Sequence, residues 1–209
     1  MTNVESRLDH LVYGVPDLLA GVRAVADLLG VAPVPGGRHP ANGTQNYLVG
    51  LGGRAYLEVI GPAPEATRPP TVFGLAALTV PSLVTWAITT TDLDRAVADA
   101  RAAGYDPGDA ESMSRRTPSG ELLEWRLAKR EPRPRDGLVP FLIDWGSAPH
   151  PAESGLPEVR LLSLRAEHPD PETVRADLRA VGAHLDLTRS DAPALRAEIE
   201  GRGGRVELR

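Results

Sequence analysis

Between Gly36 and Gly61 the chain reads G-G-R-H-P-A-N-G-T-Q-N-Y-L-V-G-L-G-G-R-A-Y-L-E-V-I-G, bringing His39, Thr44, Asn46 and Glu58 close together in sequence. Imidazole and carboxylate can move protons near neutral pH or hold a divalent metal; a hydroxyl and an amide can orient a ligand or tie down a loop. Glu58 sits in an apolar run, Tyr56-Leu57-Glu58-Val59-Ile60, where a carboxylate is costly to bury unpaired. It calls for a metal, a cation or a histidinium, and His10, in Asp9-His10-Leu11-Val12, is the nearest candidate. Each also has a plainer reading: Glu58 as a strand-edge carboxylate in water, His10 as a half-buried histidine hydrogen-bonded to a neighbour. His39 precedes Pro40, which holds its backbone extended, in a polar loop able to cover a pocket's mouth. There it could shuttle a proton, ligate a metal, anchor a substrate, or simply close the turn around Gly43.

Other chemistries are excluded by what the sequence lacks. With no cysteine in 209 residues, disulfides, zinc-thiolate sites, iron–sulfur clusters and a thiol nucleophile are ruled out. The one lysine, Lys129, stands in no phosphate-loop pattern, and a Schiff-base lysine is not expected. There is no G-x-S-x-G elbow, no H-E-x-x-H and no glycine-rich loop before a helix; Gly50 to Gly53 joins two strands. A net charge of −5 with both signs interspersed offers no basic stripe, so no nucleic-acid partner is expected. The uncharged stretch from Pro69 to Thr91 is broken by Pro81, Ser82 and threonines. It falls short of the ~20 apolar residues that a membrane span needs, and reads as a buried connection into a strand. Met1 to Arg7 lacks the order of an export signal, so a cytoplasmic chain without a membrane partner is expected.

The elements that must position these residues repeat. Leu18, Val22 and Val25, then Leu93, Val97 and Ala100, then Val174, Leu178 and Val181 share the spacing i, i+4, i+7 of one helix face. Pro16-Asp17, Thr91-Asp92 and Asp170-Pro171-Glu172 supply caps; Gly30, Gly104 and Gly182 supply stops. A strand-like run precedes each helix: Leu8 to Val15, Leu83 to Thr90, and Val159 to Arg165. Three follow it: Val31 to Pro35, Gln45 to Leu51 and Ala55 to Ile60; Asp109 to Arg115, Leu122 to Ala128 and Val139 to Trp145; His184 to Thr188, Leu195 to Glu200 and Arg205 to Leu208. The fold class is therefore α+β, three β-α-β-β-β modules separated by proline-rich linkers. Two modules (7–62 and 83–146, within a domain spanning 1–151) would pair into a curved mixed sheet forming a cup. The shorter third (157–209) would lie against the cup's edge or pair with its counterpart in a homodimer.

Strand parity then sorts the walls. If Gly52-Gly53 is the two-residue turn of a hairpin, Tyr47 lies opposite Glu58, and Gln45, Tyr47, Tyr56 and Glu58 share the cup face while Leu48, Leu57 and Val59 pack under the helix. Asn46 can tie down the loop or reach a ligand. Trp86 falls under the second helix. Trp145, beside Asp144 near a strand end, is the better wall residue, and His150 could reach the mouth from the following loop.

The repeated modules, His10 on a first strand and Glu58 on a fourth resemble the vicinal oxygen chelate superfamily, which includes glyoxalase I, extradiol dioxygenases and bleomycin-resistance proteins. Gly37-Arg38-His39-Pro40, Gly43-Thr44, Asn46, Tyr56-Leu57-Glu58, Phe141-Leu142-Ile143-Asp144-Trp145-Gly146 and His150-Pro151 are similar to its glyoxalase-like domain group. In metal-using members the ligands come from the first and fourth strands of both modules. The resemblance thus implies His10 and Glu58 as metal ligands, with Thr85, and Ile143 or Asp144, at the matching places of the second module. It implies a small-molecule site served by one divalent ion (Mn, Fe, Ni or Zn); placed in that site, the residues read above make Glu58 and His39 the catalytic candidates and Asn46, Tyr47, Tyr56, Asp144, Trp145 and His150 the candidates to touch substrate. The activity would be that of a lyase or isomerase on a small oxygenated metabolite. The alternative is a metal-free module that sequesters a drug or metabolite, as bleomycin-resistance relatives do.

Overall fold

The computed structural model describes residues 8–116, 120 and 122–209; the reading of Met1 to Arg7, including the first residue of module 7–62, lies outside them. The first module runs β1 (Leu8–Gly14), α1 (Leu18–Leu29), β2 (Val34–His39), β3 (Thr44–Gly52) and β4 (Ala55–Pro62). The second runs β5 (Ser82–Thr89), α2 (Leu93–Ala102), β6 (Ala110–Arg116), β7 (Leu122–Ala128) and β8 (Phe141–Asp144). The third runs β9 (Arg160–His168), α3 (Pro171–Ala180), β10 (Asp186–Arg189), β11 (Ala194–Gly201) and β12 (Gly204–Leu208). Each helix begins where an aspartate caps it: Asp17 accepts from Ala20 N at 2.9 Å, Asp92 from Arg95 N at 3.0 Å, and Asp170 from Thr173 N at 3.4 Å. α1 stops at Gly30, which takes φ +69°, a conformation costly for any residue with a Cβ.

The first two modules close into one barrel in the order β1-β4-β3-β2-β6-β7-β8-β5. In both, the first strand lies parallel to the fourth: Val12 pairs Glu58, and Ala87 pairs Phe141. β1 and β5 join the modules antiparallel, with Leu11 opposite Trp86. Trp86 is fully buried under the helices, as its parity requires, and its indole donates to Leu138 O at 3.0 Å. The barrel's outer face packs with α1 and α2 into the main core, while Val12, Ile60, Ala87, Trp125, Phe141 and Ile143 form a second apolar cluster with Phe73 and Trp145.

The third unit keeps the element order but not the sheet order, which is β10-β9-β11-β12. Here the first strand lies beside the second, parallel, and beside the third. It packs against the first two modules. Arg202 N bonds Leu29 O at 2.9 Å at the end of α1, Val159 N bonds Gly50 O at 3.0 Å on β3, and Leu83 N bonds Arg209 O at 2.6 Å. The apolar faces of α1 and the third sheet share one core. These contacts lay the third unit against the barrel.

Candidate active site

Two local departures from ideal strands decide which side chains enter the cup. In the β3–β4 hairpin the turn is Gly53-Arg54, with Gly52 opposite Ala55, and a bulge lies between Gly50 and Gly52. The extra residue shifts the register by one, so Leu48 lies opposite Glu58 and Asn46 opposite Ile60. The parity expected from a Gly52-Gly53 turn is thereby corrected. Tyr47 faces outward against the main core and does not line the cup; Thr44, Asn46 and Leu48 do. The second departure is in β1, where a register shift against β5 between Leu8 and His10 leaves Asp9 as the extra residue. Asp9 and His10 can then both serve the same site.

β2 also runs further than its prolines suggested, through Gly36-Gly37 to His39, so His39 ends a strand and does not sit mid-loop. A larger residue at Gly36 would force its neighbours to shift: a Cβ there would lie 2.4 Å from Asn46 Oδ1 and 2.9 Å from Leu48 Cγ. Gly36→Ala is therefore expected to cost about 1–3 kcal/mol in denaturant unfolding through overpacking. The cost should shrink when Asn46→Ala is combined with it. Equal penalties in both backgrounds would show that the Asn46 contact is not the cause.

These walls form a cup open to solvent at its mouth. His10, His39, Asn46, Tyr56, Glu58 and Trp145 all line it, together with Arg115 and Lys129. Phe73, Met113, Trp125, Leu127, Phe141 and Ile143 form an apolar wall, with Trp125 and Trp145 rings 5.3 Å apart. His10 is held on every side. It stacks on Tyr56 (4.8 Å between centroids, 17°), meets the edge of Phe141, and its Nδ1 lies 2.6 Å from Asp9 Oδ1. Asp9 is fully buried; its Oδ2 accepts from Trp145 Nε1 at 2.9 Å and from His150 Nε2 at 3.1 Å. Because His150 Nδ1 accepts from Ala152 N, its proton sits on Nε2. Asp9 likewise fixes the proton of His10 on Nδ1, leaving the Nε2 lone pair to face Glu58 Oε2 at 3.9 Å. The other oxygen of Glu58 accepts from Asn46 Nδ2 at 2.5 Å. Asn46 Oδ1 is buried with no hydrogen-bond partner among the described residues.

Electrostatics follow from this packing. Burial alone would raise the Asp9 carboxyl, but the hydrogen bonds and charges of His10 and His150 outweigh it and hold it well below the usual carboxylate range. Burial lowers the pKa of His39; the Glu58 charge opposes this and Arg115 reinforces it. His39 is half-buried and its Nδ1 lies 3.3 Å from the Thr44 hydroxyl. Burial, aided by Asp9 and Glu58, pushes the Tyr56 phenol far up, so it stays a neutral donor.

Besides Tyr47, two expected site residues stand elsewhere. Asp144 lies outside the cup lining, paired with Arg126 across the strands and accepting from Gly146 N at 2.9 Å. His150 sits buried behind the lining, where it serves Asp9. Three residues set aside by sequence reasoning belong to the site. Asp9 carried a signal in being an aspartate beside His10 in an apolar strand, Arg115 in being a cation on the inner parity of β6, and Lys129 only in being the sole lysine.

The residues do not fit a divalent metal. His10 Nε2 and Glu58 Oε2 could both approach one ion, but a catalytic ion ordinarily takes three protein ligands. Thr85, seven residues before Asp92 as His10 is before Asp17, is buried outside the cup lining. The place of Glu58 is taken by Phe141, which pairs Ala87 as Glu58 pairs Val12. It is taken by neither Ile143 nor Asp144. Among the described residues no three histidine, aspartate or glutamate side chains are placed so that they could hold a metal ion together.

Residues 8–182 match the family model of a glyoxalase-like domain. The chain belongs to that family, within the vicinal oxygen chelate superfamily. No curated protein sequence matches it. Among solved structures, a hypothetical protein from Staphylococcus aureus superimposes with a TM-score of 0.68 at 11% identity, covering 97% of this chain and 98% of that one. The shared fold thus includes the third unit. Methylmalonyl-CoA epimerase from Mycobacterium tuberculosis gives 0.45 at 20% identity over 74% of this chain and 96% of that one. A mutant of 4-hydroxymandelate synthase from Streptomyces coelicolor gives 0.49 at 18% over 97% and 62%. Among the described residues no helix is long and apolar enough to cross a membrane.

Proposed function

We propose that the cup is the active site of a lyase or isomerase that moves a proton at a carbon beside a carbonyl group in a small oxygenated metabolite. One observation carries this reading: His10 Nε2 and Glu58 Oε2 face each other across 3.9 Å in a buried site while Asp9 holds the other nitrogen of His10. An acidic C–H laid against that gap meets a lone pair already oriented. His10 Nε2 takes the proton, and the C–H electron pair moves onto the carbonyl oxygen to give an enolate. The charge gained by the imidazole then lies between Asp9 and Glu58. Returning the proton to the other face or to a neighbouring atom completes an isomerisation; expelling a group from the adjacent carbon completes a lyase reaction. Glu58, steadied by Asn46, is the second proton carrier.

The test is hydrogen–deuterium exchange at the α-carbon, followed by NMR, across a set of small aldehydes, ketones and oxo acids in D2O. Exchange that disappears in His10→Asn is the expected result; binding without exchange for every compound would sink the reading. A second reading is a metal-free module that sequesters a flat ligand, favoured by the wall of Trp125 against Trp145 and of Phe73 stacked on Phe141 at 5.6 Å. With two ligands available, reconstitution with Mn, Fe, Ni or Zn is expected to leave less than one equivalent of metal after desalting. One full equivalent that is lost in Glu58→Gln would overturn the metal-free route.

A further inference from the structure

One cation in the cup forms no ion pair among the described residues. Arg115 is only 8% exposed and lines the cup. Its guanidinium donates to the Gly36 carbonyl, and among the described residues no carboxylate lies within ion-pair distance of it. Arg126 and Arg95, both more exposed, are paired: Arg126 holds Asp94 at 2.8 Å and Arg95 holds Asp99 at 2.8 Å. A buried cation without a counter-charge is destabilising, and a guanidinium spends only part of its five-donor fork on one carbonyl. Glu58 supplies opposite charge from a distance, but its Oε1 is held by Asn46.

The surroundings say what kind of anion fits. Along β6 the next inward residue is Met113, roughly 7 Å from Arg115 at strand spacing, and Met113 pairs Trp125. A flat apolar wall therefore begins one short molecule's length from the guanidinium. Among the described residues no glycine-rich loop adjoins the cup to wrap a phosphate, whereas a planar fork matches a planar carboxylate.

We propose that Arg115 anchors a carboxylate, and that the cup takes small carboxylic acids carrying a flat apolar group, the ring lying against Trp125 and Trp145. This rests on the cup being the small-molecule site, but not on the proton transfer itself. Lys129, one residue past the end of β7, also lines the cup, but its ammonium lies 3.9 Å from Glu131, which leaves Arg115 as the cation for the ligand's carboxylate.

The test titrates the full chain with phenylacetate, phenylacetamide and phenyl phosphate, reading tryptophan fluorescence and thermal midpoint. Phenylacetate is expected to bind at least about tenfold more tightly than its amide. Arg115→Gln, which keeps a donor for Gly36 O, should erase that preference, and Arg115→Lys should restore part of it. Equal binding of acid and amide by the wild-type chain, tighter binding of phenyl phosphate, or no binding by this acid or by a panel of aryl-substituted 2-oxo acids would each overturn the proposal. A chain that prefers the acid yet exchanges no α-proton would leave the anchor standing and overturn the proton transfer.

Discussion

Asp9→Asn is expected to cost about 3 kcal/mol of unfolding free energy at pH 7, within the range for breaking one side of a buried charged network. Asp9 accepts from His10, His150 and Trp145 at once; an asparagine keeps one acceptor oxygen and turns an NH2 towards a donor. The wild-type chain should also show an acid-sensitive stability that the variant lacks. The Asp9 carboxyl is held below its ordinary value of 3.8, so the unfolded chain takes up a proton before the native one does. The stability is complete above that value and falls as the pH drops through it. His39 adds the same sign in a higher window: burial lowers its pKa from 6.5, so stability declines as the pH falls below that. Urea unfolding at a series of pH values separates the two, since Asp9→Asn should flatten only the lower window and a His39 variant only the upper. The same variant should slow α-proton exchange, because an asparagine NH2 facing Nδ1 drives the His10 proton onto Nε2 and removes the lone pair. A pH profile identical to wild type in stability and exchange would remove Asp9 from both roles.

Glu58→Gln is expected to lower the α-exchange rate by roughly 10²–10⁴-fold, the contribution of a positioned acid–base group, with little change in KM. Gln keeps the volume and an acceptor for Asn46 Nδ2, so stability should move by no more than about 1 kcal/mol. The loss should sit in kcat because the carboxylate acts on the charge formed at His10 during transfer. An unchanged kcat with a raised KM would mean that Glu58 only binds ligand.

Much of this was legible in the residues. Helix faces, caps and stops report local energetics. The 3.6-residue period of Leu18, Val22 and Val25 and the carboxylates of Asp17, Asp92 and Asp170 mark where helices run without reference to anything distant. Strand positions followed from β-branched and apolar runs, and Trp86 fell under the helices because parity alone put it there. What failed was register. Tyr47 was expected in the cup and Asn46's neighbour Leu48 outside it, since one bulged residue between Gly50 and Gly52 inverts every assignment upstream. The Asp9–His10 pair was hidden for a related reason. Adjacent strand residues ordinarily face opposite ways, and only the register shift against β5 lets both serve one site.

The sequence by itself marked out three β-α-β-β-β units, a chain with no thiol chemistry, and His10, His39 and Glu58 as candidate polar groups of the first module. Tertiary structure decided that Phe141 stands where a second carboxylate would complete a metal site, and that Asp144 lies outside. It also decided that Arg115 and Lys129 join the cup and that the third sheet folds back onto α1. These are contacts between residues dozens of positions apart, set by strand pairing across modules and by which apolar faces meet, and periodicity within a single segment carries no record of them.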